Sequence, residues 1–157
     1  MLQVRPKSLA ARAWEVRDDE GALVAELQST LLSEGATVQL DGKVLRIARE
    51  GLTTGPWKLT DGDEVLYEAS KPSADTRRFE VNVRGAWLDL SPEGSSTRRF
   101  SLVGPDWAQL GSVSKSGLLS RKVEVDLDDR VPVEAKLLLL FCALLAWSGG
   151  ADGSTTS

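Results

Sequence analysis

The sequence predicts an all-β protein with one helix, namely a closed antiparallel β-barrel of twelve strands threaded by a hydrophobic C-terminal α-helix. Twelve short apolar segments with an alternating pattern follow one another at intervals of about ten residues, which is typical of antiparallel barrels and sandwiches. Residues 137–147 then form an uninterrupted apolar run rich in Ala and Leu. Twelve strands enclose more space than their own side chains fill, so the helix is expected to occupy the interior.

The candidate strands follow in order and are separated by turn residues. The strongest local signal is Asp41-Gly42, because Asp-Gly between two β-rich runs favours a two-residue turn with positive φ at both positions. Such a turn places Val38 opposite Leu45 and puts both on one face, together with Leu40 and Ile47. The twelve segments are residues 2–5, 11–16, 22–27, 38–40, 44–47, 57–60, 65–67, 79–84, 87–90, 100–102, 107–113 and 118–127.

Two of these hairpins resemble each other. Residues 14–18 (Trp-Glu-Val-Arg-Asp) align with residues 57–61 (Trp-Lys-Leu-Thr-Asp) at an offset of 43 residues. Each segment is followed by a turn that contains glycine and by an apolar return strand. The pattern suggests a hairpin module used more than once, and a chance similarity within a meander of strands is the alternative.

The last element is predicted to be a helix over residues 132–147. Pro132 suits the first helical position, and Gly149-Gly150 ends the pattern. The apolar run 137–147 is about 17 Å long at the helical rise of 1.5 Å, whereas a membrane span needs about 20 residues. We therefore expect a helix buried in the barrel, with a membrane tail anchor as the alternative. Residues 132–147 would extend about 24 Å as a helix, which matches a seven-residue strand of about 23 Å.

The chain of 157 residues predicts a single domain. The barrel domain covers residues 1–147, with its strands within 1–128, and the small polar residues 148–157 are expected to form a disordered tail. Cys142 is the single cysteine and lies in the apolar run, which predicts a small buried hydrophobe rather than a nucleophile. Since the first residues do not resemble a secretory signal, we expect a cytoplasmic protein.

Composition argues against several function classes. The chain has 19 Lys and Arg residues against 23 Asp and Glu residues, a net charge of −4, so a general nucleic-acid binder is not expected. The absence of histidine rules out Ser-His-Asp and Cys-His catalysis and histidine metal sites. The sequence also lacks the G-x-G-x-x-G, Walker A, G-x-S-x-G and C-x-x-C motifs. We therefore expect no enzyme, no catalytic residue and no cofactor, and an enzyme using a pair of carboxylates has no positive support.

Adjacent basic residues recur at the starts of three predicted strands. Strand alternation sends one member of each doublet to each face of the sheet. Clustered at the rim of a barrel, such doublets could hold a phosphate or an anionic lipid head group. The alternative is that they are solvated rim charges paired with Glu80, Glu93 or Glu124. The doublets are Arg77-Arg78, Arg98-Arg99 and Arg121-Lys122.

Four carboxylates lie just ahead of the predicted helix. Carboxylates at alternate positions suit a hard cation such as Ca²⁺, although the spacing is not that of an EF-hand loop. The alternative is that these acids favour the positive end of the following helix. The candidate metal ligands are Glu124, Asp126, Asp128 and Asp129.

The tryptophans lie close to the ends of the predicted strands. An aromatic platform for nucleic acid would need a basic groove around it. We therefore expect the tryptophans to pack in the core of the barrel, together with Phe79 and Phe100. Those near strand ends are Trp14, Trp57, Trp87 and Trp107.

The order of these elements resembles the tubby-like superfamily, which includes tubby C-terminal domains, the plant LURP-one-related proteins and phospholipid scramblases. The resemblance covers residues 1–147 and implies a twelve-stranded barrel around a central hydrophobic helix. The chain is most similar to compact bacterial members of this group. The last segment of the resemblance looks like the acidic stretch ahead of the helix in scramblases, which points to Ca²⁺ as well. The segments that carry it are Trp14…Asp18…Gly21, Trp57…Asp61-Gly62, Arg98-Arg99-Phe100-Ser101-Leu102 leading to Leu110-Gly111-Ser112-Val113, and Val125-Asp126-Leu127-Asp128.

The expected function is that of a non-enzymatic binding or scaffold module. The chain lacks the Pro-rich N-terminal region and the cysteine cluster of eukaryotic scramblases, and the basic phosphoinositide motif of tubby is not identifiable, so the resemblance carries the fold rather than an activity. We expect a monomer that contacts an anionic membrane surface or phosphate groups peripherally, on the outer wall or the rim. A scramblase-like membrane protein with its helix inserted and a protein–protein interaction module are the alternatives.

Overall fold

The computed structural model describes residues 1–7, 12–29, 35–49, 55–73, 76–94, 98–116 and 121–156, with side chains described as far as Trp147. A turn of 3-10 helix, Pro105–Trp107, precedes β11, and the helix α1 comprises Val133–Thr156. The strands are β1 (Leu2–Pro6), β2 (Ala13–Arg17), β3 (Leu23–Ser29), β4 (Ala36–Leu40), β5 (Lys43–Arg49), β6 (Trp57–Asp61), β7 (Glu64–Ser70), β8 (Phe79–Val83), β9 (Ala86–Pro92), β10 (Arg99–Val103), β11 (Gln109–Lys115) and β12 (Val123–Leu127).

The strands form a closed barrel in which each strand pairs antiparallel with the preceding one. The ring closes where β1 pairs antiparallel with β12, from Leu2 opposite Val125 to Val4 opposite Val123. The predicted closed antiparallel barrel of twelve strands is therefore confirmed. Because successive strands run in opposite directions, the eleven connections between strands alternate between the two ends of the barrel, six at one end and five at the other, where the link from β12 to α1 also lies.

The hairpin of β4 and β5 has the register that its sequence predicts. Val38 lies opposite Leu45, and Leu40 lies opposite Lys43. The turn residues Asp41 and Gly42 have φ values of 51° and 75°, as a tight turn of this type requires. The inward-facing residues Val38, Leu40, Leu45 and Ile47 are all buried.

The 43-residue offset recurs in the strand pairing and extends to a third copy. The pairing shifts by one residue, as in a β-bulge, at three places that lie 43 residues apart in the sequence. The hairpins β4–β5 and β8–β9 also correspond at this offset. In the third unit β1 takes the place of the fourth strand, because the chain after β12 forms α1 instead. The three shifts lie between Val16 and Arg17, Leu59 and Thr60, and Leu102 and Val103.

The helix fills the interior of the barrel, as predicted. The seven consecutive residues from Leu137 to Ala143 are at most 5% exposed. Seven residues make about two helical turns and point to every side of the helix, so the strands must surround it. These residues form one cluster with the inward-facing residues of the strands.

The bounds of the helix, Val133–Thr156, differ from the predicted 132–147 by one residue at the start and by nine at the end. The helix begins at Val133, and the carbonyl of Pro132 accepts a hydrogen bond from the Lys136 N–H at 2.9 Å, so Pro132 immediately precedes the first turn. The backbone is helical as far as Thr156. The disordered tail expected over 148–157 stays a prediction, and the predicted strand residues 118–120 lie outside the described residues.

Candidate functional site

The two ends of the barrel carry opposite charge. We call the end after β1, β3, β5, β7, β9 and β11 the basic end, because the described residues of the connections there include eight Lys and Arg residues and one carboxylate, Glu93. Three further acidic residues of these connections, Glu34, Glu50 and Asp75, lie outside the described residues. We call the other end, formed by 18–22, 41–42, 62–63, 84–85, 104–108 and 128–132, the acidic end, because it contains eight acidic residues against two arginines. The helix enters the barrel at the acidic end, after β12, and Trp147 lies against Phe100 near the basic end.

All three basic doublets lie at the basic end, where Arg77-Arg78 and Arg121-Lys122 precede β8 and β12, and Arg98-Arg99 spans the start of β10. Phe79 and Phe100, which follow the first two doublets, are fully buried and face inward. Alternation therefore places Arg78 and Arg99 on the outer wall, where both are exposed, and their neighbours Arg77 and Arg98 are half-buried. In the third doublet, Arg121 and Lys122 are both exposed.

The outward-facing arginines form ion pairs on the wall. The Arg78 guanidinium lies 2.5 Å from an Asp89 carboxylate oxygen and 3.8 Å from one of Glu80. The Arg99 Nε donates to Glu93 Oε2 at 2.8 Å. The alternative interpretation of the doublets was pairing with Glu80 or Glu93, and this pairing is present for Arg78 and Arg99. Exposed pairs of this kind contribute little to stability, about 0–1 kcal/mol.

Three further cations line the inner side of the basic end, each above an aromatic ring. A cation over a ring face is attracted by the quadrupole of the ring, so these groups are held over the apolar core rather than extended into solvent. We call these residues the inner collar. They are Arg49, 4.5 Å from the centroid of Trp57, Lys71, 5.4 Å from that of Phe79, and Lys115, 5.0 Å from that of Trp147.

The inner collar adds to the electropositive character of this end. The backbone N–H of Lys115 donates to the backbone carbonyl of Arg98 at 2.9 Å, so a collar residue and a doublet residue lie on neighbouring strand ends. Partial burial, and to a lesser extent the nearby Arg98 charge, lowers the pKa of Lys115. Two neighbouring cations with reduced access to water form a local site at which an anion would be stabilised.

The sequence predicted the basic doublets but not the inner collar, although strand alternation indicates the position of the collar residues. Each collar residue lies two positions after a buried, inward-facing residue, so strand alternation places it on the inner face at the rim. Isolated basic residues at strand ends do not form a conspicuous motif. The preceding buried residues are Ile47, Ala69 and Val113.

The four carboxylates ahead of the helix do not converge. Among the described residues, no three His, Cys, Asp or Glu side chains lie close enough to hold a metal ion. On β12, Glu124 and Asp126 face outward, between the buried Val123, Val125 and Leu127. The last two predicted ligands, Asp128 and Asp129, follow in the turn before α1.

Asp128 is bound to Arg130. Its carboxylate accepts hydrogen bonds from the Arg130 backbone N–H and Nε, both at 2.9 Å, and from Nη2 at 3.2 Å. These bonds lower the pKa of Asp128 to about 2. Asp128 therefore stabilises the turn that precedes the helix, rather than capping the first helical turn.

The cysteine has the environment predicted for it. Cys142 is fully buried inside the barrel, and desolvation strongly raises the pKa of its thiol. A buried neutral thiol of this kind is inert rather than nucleophilic.

Two of the tryptophans predicted to pack in the core are instead at the surface. Trp57 is buried and Trp14 is half-buried, but Trp87 is 57% exposed and Trp107 is 86% exposed. Trp87 precedes the buried Leu88 of β9, so it faces outward, on the same side of the strand as Asp89. The prediction used closeness to strand ends and neglected this alternation, which was the available signal.

Comparisons with known proteins give no further guide to this site. In the part of the chain that the structure describes, no helix is both long enough and apolar enough to cross a membrane. No family model, no curated protein and no solved structure matches the chain.

Proposed function

We propose that this barrel is a non-enzymatic binding module that docks peripherally on anionic lipid surfaces through its basic end. The observation that carries the proposal is that the three doublets and the inner collar, which are far apart in the sequence, lie at one end of the barrel while the acidic turns lie at the other. A molecule with this charge separation is oriented by a negative surface so that its basic end approaches first. Since anionic lipids enrich the cytoplasmic leaflet, the proposal fits a cytoplasmic protein.

The strength of such binding depends on how many cations lie close to the membrane surface. Each Lys or Arg held near an anionic membrane contributes about 1 kcal/mol, and the attraction decays within about 10 Å at 0.1 M salt. Arg78 and Arg99 already have carboxylate partners on the wall and should contribute less. Arg121 and Lys122 are exposed in the connection before β12, and Arg77 lies in the connection before β8, so we expect these three residues to contribute most, supported by the inner collar.

The proposal keeps the helix inside the barrel. The helix forms the core, so its removal would leave the inward-facing residues of twelve strands without their packing partner. Binding through rim cations requires no such rearrangement. The resemblance to the tubby-like superfamily agrees with this arrangement and stays a prediction.

Vesicle flotation tests the proposal. The purified protein is floated without detergent, with vesicles that contain phosphatidylserine and with neutral vesicles, at about 50 mM and about 150 mM salt. We expect binding to the anionic vesicles alone, weakened at the higher salt. The variant Arg77→Gln, Arg121→Gln, Lys122→Gln should bind at least about tenfold more weakly, since three contributions of about 1 kcal/mol are lost.

A matched variant separates the basic end from net charge. Lys43→Gln, Arg46→Gln, Arg84→Gln removes two arginines and one lysine from exposed positions away from the basic end and should bind like the native chain. Equal loss in both variants would show that only overall charge matters. An absence of binding at low salt from a folded protein would overturn the lipid proposal and favour a protein partner.

A further inference from the structure

The outer wall contains a groove with two exposed tryptophans. Trp87 on β9 and Trp107 in the turn before β11 both line it, and they are the two most exposed aromatic residues described. The groove has a volume of about 430 Å³, within the range of about 300–1,000 Å³ that ligand sites occupy. It lies on the barrel wall and shares Arg78 with the doublets, but none of the inner collar lines it.

The conformation of Trp107 is costly and brings little packing in return. Asp106 and Trp107 have φ values of 62° and 61°, in the left-handed region that disfavours residues with a side chain. For a bulky residue this conformation costs about 1–2 kcal/mol, and Trp107 is 86% exposed, so burial does not offset the cost. The Gly104 N–H donates to the Ala108 carbonyl at 2.8 Å and closes the turn. The turn therefore holds the indole at the edge of the groove.

The charged residues of the groove favour a positively charged ligand. Its lining contains the carboxylates of Glu80, Asp89 and Asp106 and one cation, Arg78. Arg78 is already paired with Asp89 at 2.5 Å and with Glu80 at 3.8 Å. The lining thus has a net charge of −2, beside two indole rings that are the best side-chain partners for a cation.

We propose that this groove binds a basic peptide segment, with a Lys or Arg side chain of the peptide against the indoles of Trp87 and Trp107. The carboxylates would attract the cation, and the rings would contact both its charge and its aliphatic stem. The groove has nearly three times the volume of a cavity of about 150 Å³ that accommodates a benzene molecule, so it has room for several side chains of an extended peptide.

Titration of the whole protein with short peptides tests the proposal. A hexa-arginine peptide is compared with a hexa-glutamate peptide and with a neutral oligosaccharide by calorimetry and tryptophan fluorescence. We expect binding of the arginine peptide alone. Trp107→Gly should weaken it at least tenfold, and Asp106→Asn should weaken it several-fold. Because glycine is favoured at positive φ, Trp107→Gly should unfold at the same temperature as the native chain or a higher one.

Two controls distinguish the groove from general attraction to an acidic protein. Asp63→Asn removes one carboxylate from the acidic end outside the groove, and Val44→Thr removes an exposed apolar side chain elsewhere on the wall. Both should bind the arginine peptide like the native chain. Equal weakening in Asp63→Asn and Asp106→Asn would overturn the proposal, as would tighter binding of the oligosaccharide or the acidic peptide. A groove covered by a second copy, seen as dimerisation lost in Trp107→Gly, would overturn it as well.

Discussion

At the scale of single residues, the turn between β12 and α1 depends on one carboxylate. Asp128 accepts three hydrogen bonds from Arg130, and these lower its pKa from 3.8 to about 2. A carboxyl whose pKa is lowered by folding stabilises the folded state when it is ionised. This contribution is complete above the ordinary pKa near 3.8 and is lost as the pH falls towards 2.

Carbon NMR of the carboxyl groups checks this prediction. We expect the Asp128 resonance to titrate with a midpoint near 2, and Arg130→Ala to return the midpoint towards 3.8. A native midpoint near 4 that Arg130→Ala leaves unchanged would contradict the pairing.

The tryptophans show how far the sequence predicts individual side chains. Trp57 begins a strand whose alternate residue, Leu59, is also buried, and its burial was predicted correctly. Trp87 occupies the opposite phase, next to the buried Leu88. Trp107 follows no strand pattern, because it lies in a turn whose positive φ angles cannot be inferred from Pro-Asp-Trp. Exposure in turns depends on backbone angles, whereas burial in strands depends on a period of two.

At the scale of elements, the helix acts as the core of the molecule. Its composition and length predicted a buried helix, since an apolar run on every side must be surrounded by protein or lipid. Leu140 is fully buried, and Leu144, one turn later, is only half-buried near the basic end. The two positions therefore differ in their tolerance of a charge.

We expect Leu140→Lys to prevent folding and Leu144→Lys to be tolerated. An unpaired buried charge costs several kcal/mol, a large part of the 5–15 kcal/mol that stabilises a typical domain. At position 144 the lysine stem can stay in contact with the barrel while its ammonium reaches water. Circular dichroism and urea unfolding of both variants provide the measurement. Similar stability of the two variants would contradict the difference in burial between Leu140 and Leu144.

Tight turns were the most predictable elements after the helix. Asp41-Gly42 determined the register of its hairpin through the positive φ of both residues. Arg84-Gly85 forms the corresponding turn 43 residues later, and Arg84 has a φ of 53° there. Arginine is not a residue type that predicts such a turn, so the sequence did not indicate it. The third unit escaped detection because Phe100 replaces tryptophan and because β1, from the other end of the chain, supplies its fourth strand.

At the scale of the whole molecule, the charge separation follows from the barrel order. In an up-and-down barrel every second connection lies at the same end, so the doublets that precede or begin β8, β10 and β12 must all lie at that end. The doublets were recognised in the sequence as single motifs. Their location at one end could be inferred only with the strand order, and the collar only with the inward or outward phase of each strand end.

The central claim is that α1 is enclosed by a closed barrel, and the reactivity of Cys142 tests it most directly. This single cysteine is fully buried on the helix, so a water-soluble thiol reagent can reach it only when the barrel opens. A reference chain, Cys142→Ser with Val65→Cys, carries its thiol at a position that is 46% exposed and should react at once. We predict that Cys142 labelling in increasing urea gives the same free energy of unfolding and the same urea dependence as circular dichroism. Rapid labelling in native buffer, independent of urea, would contradict an enclosed helix.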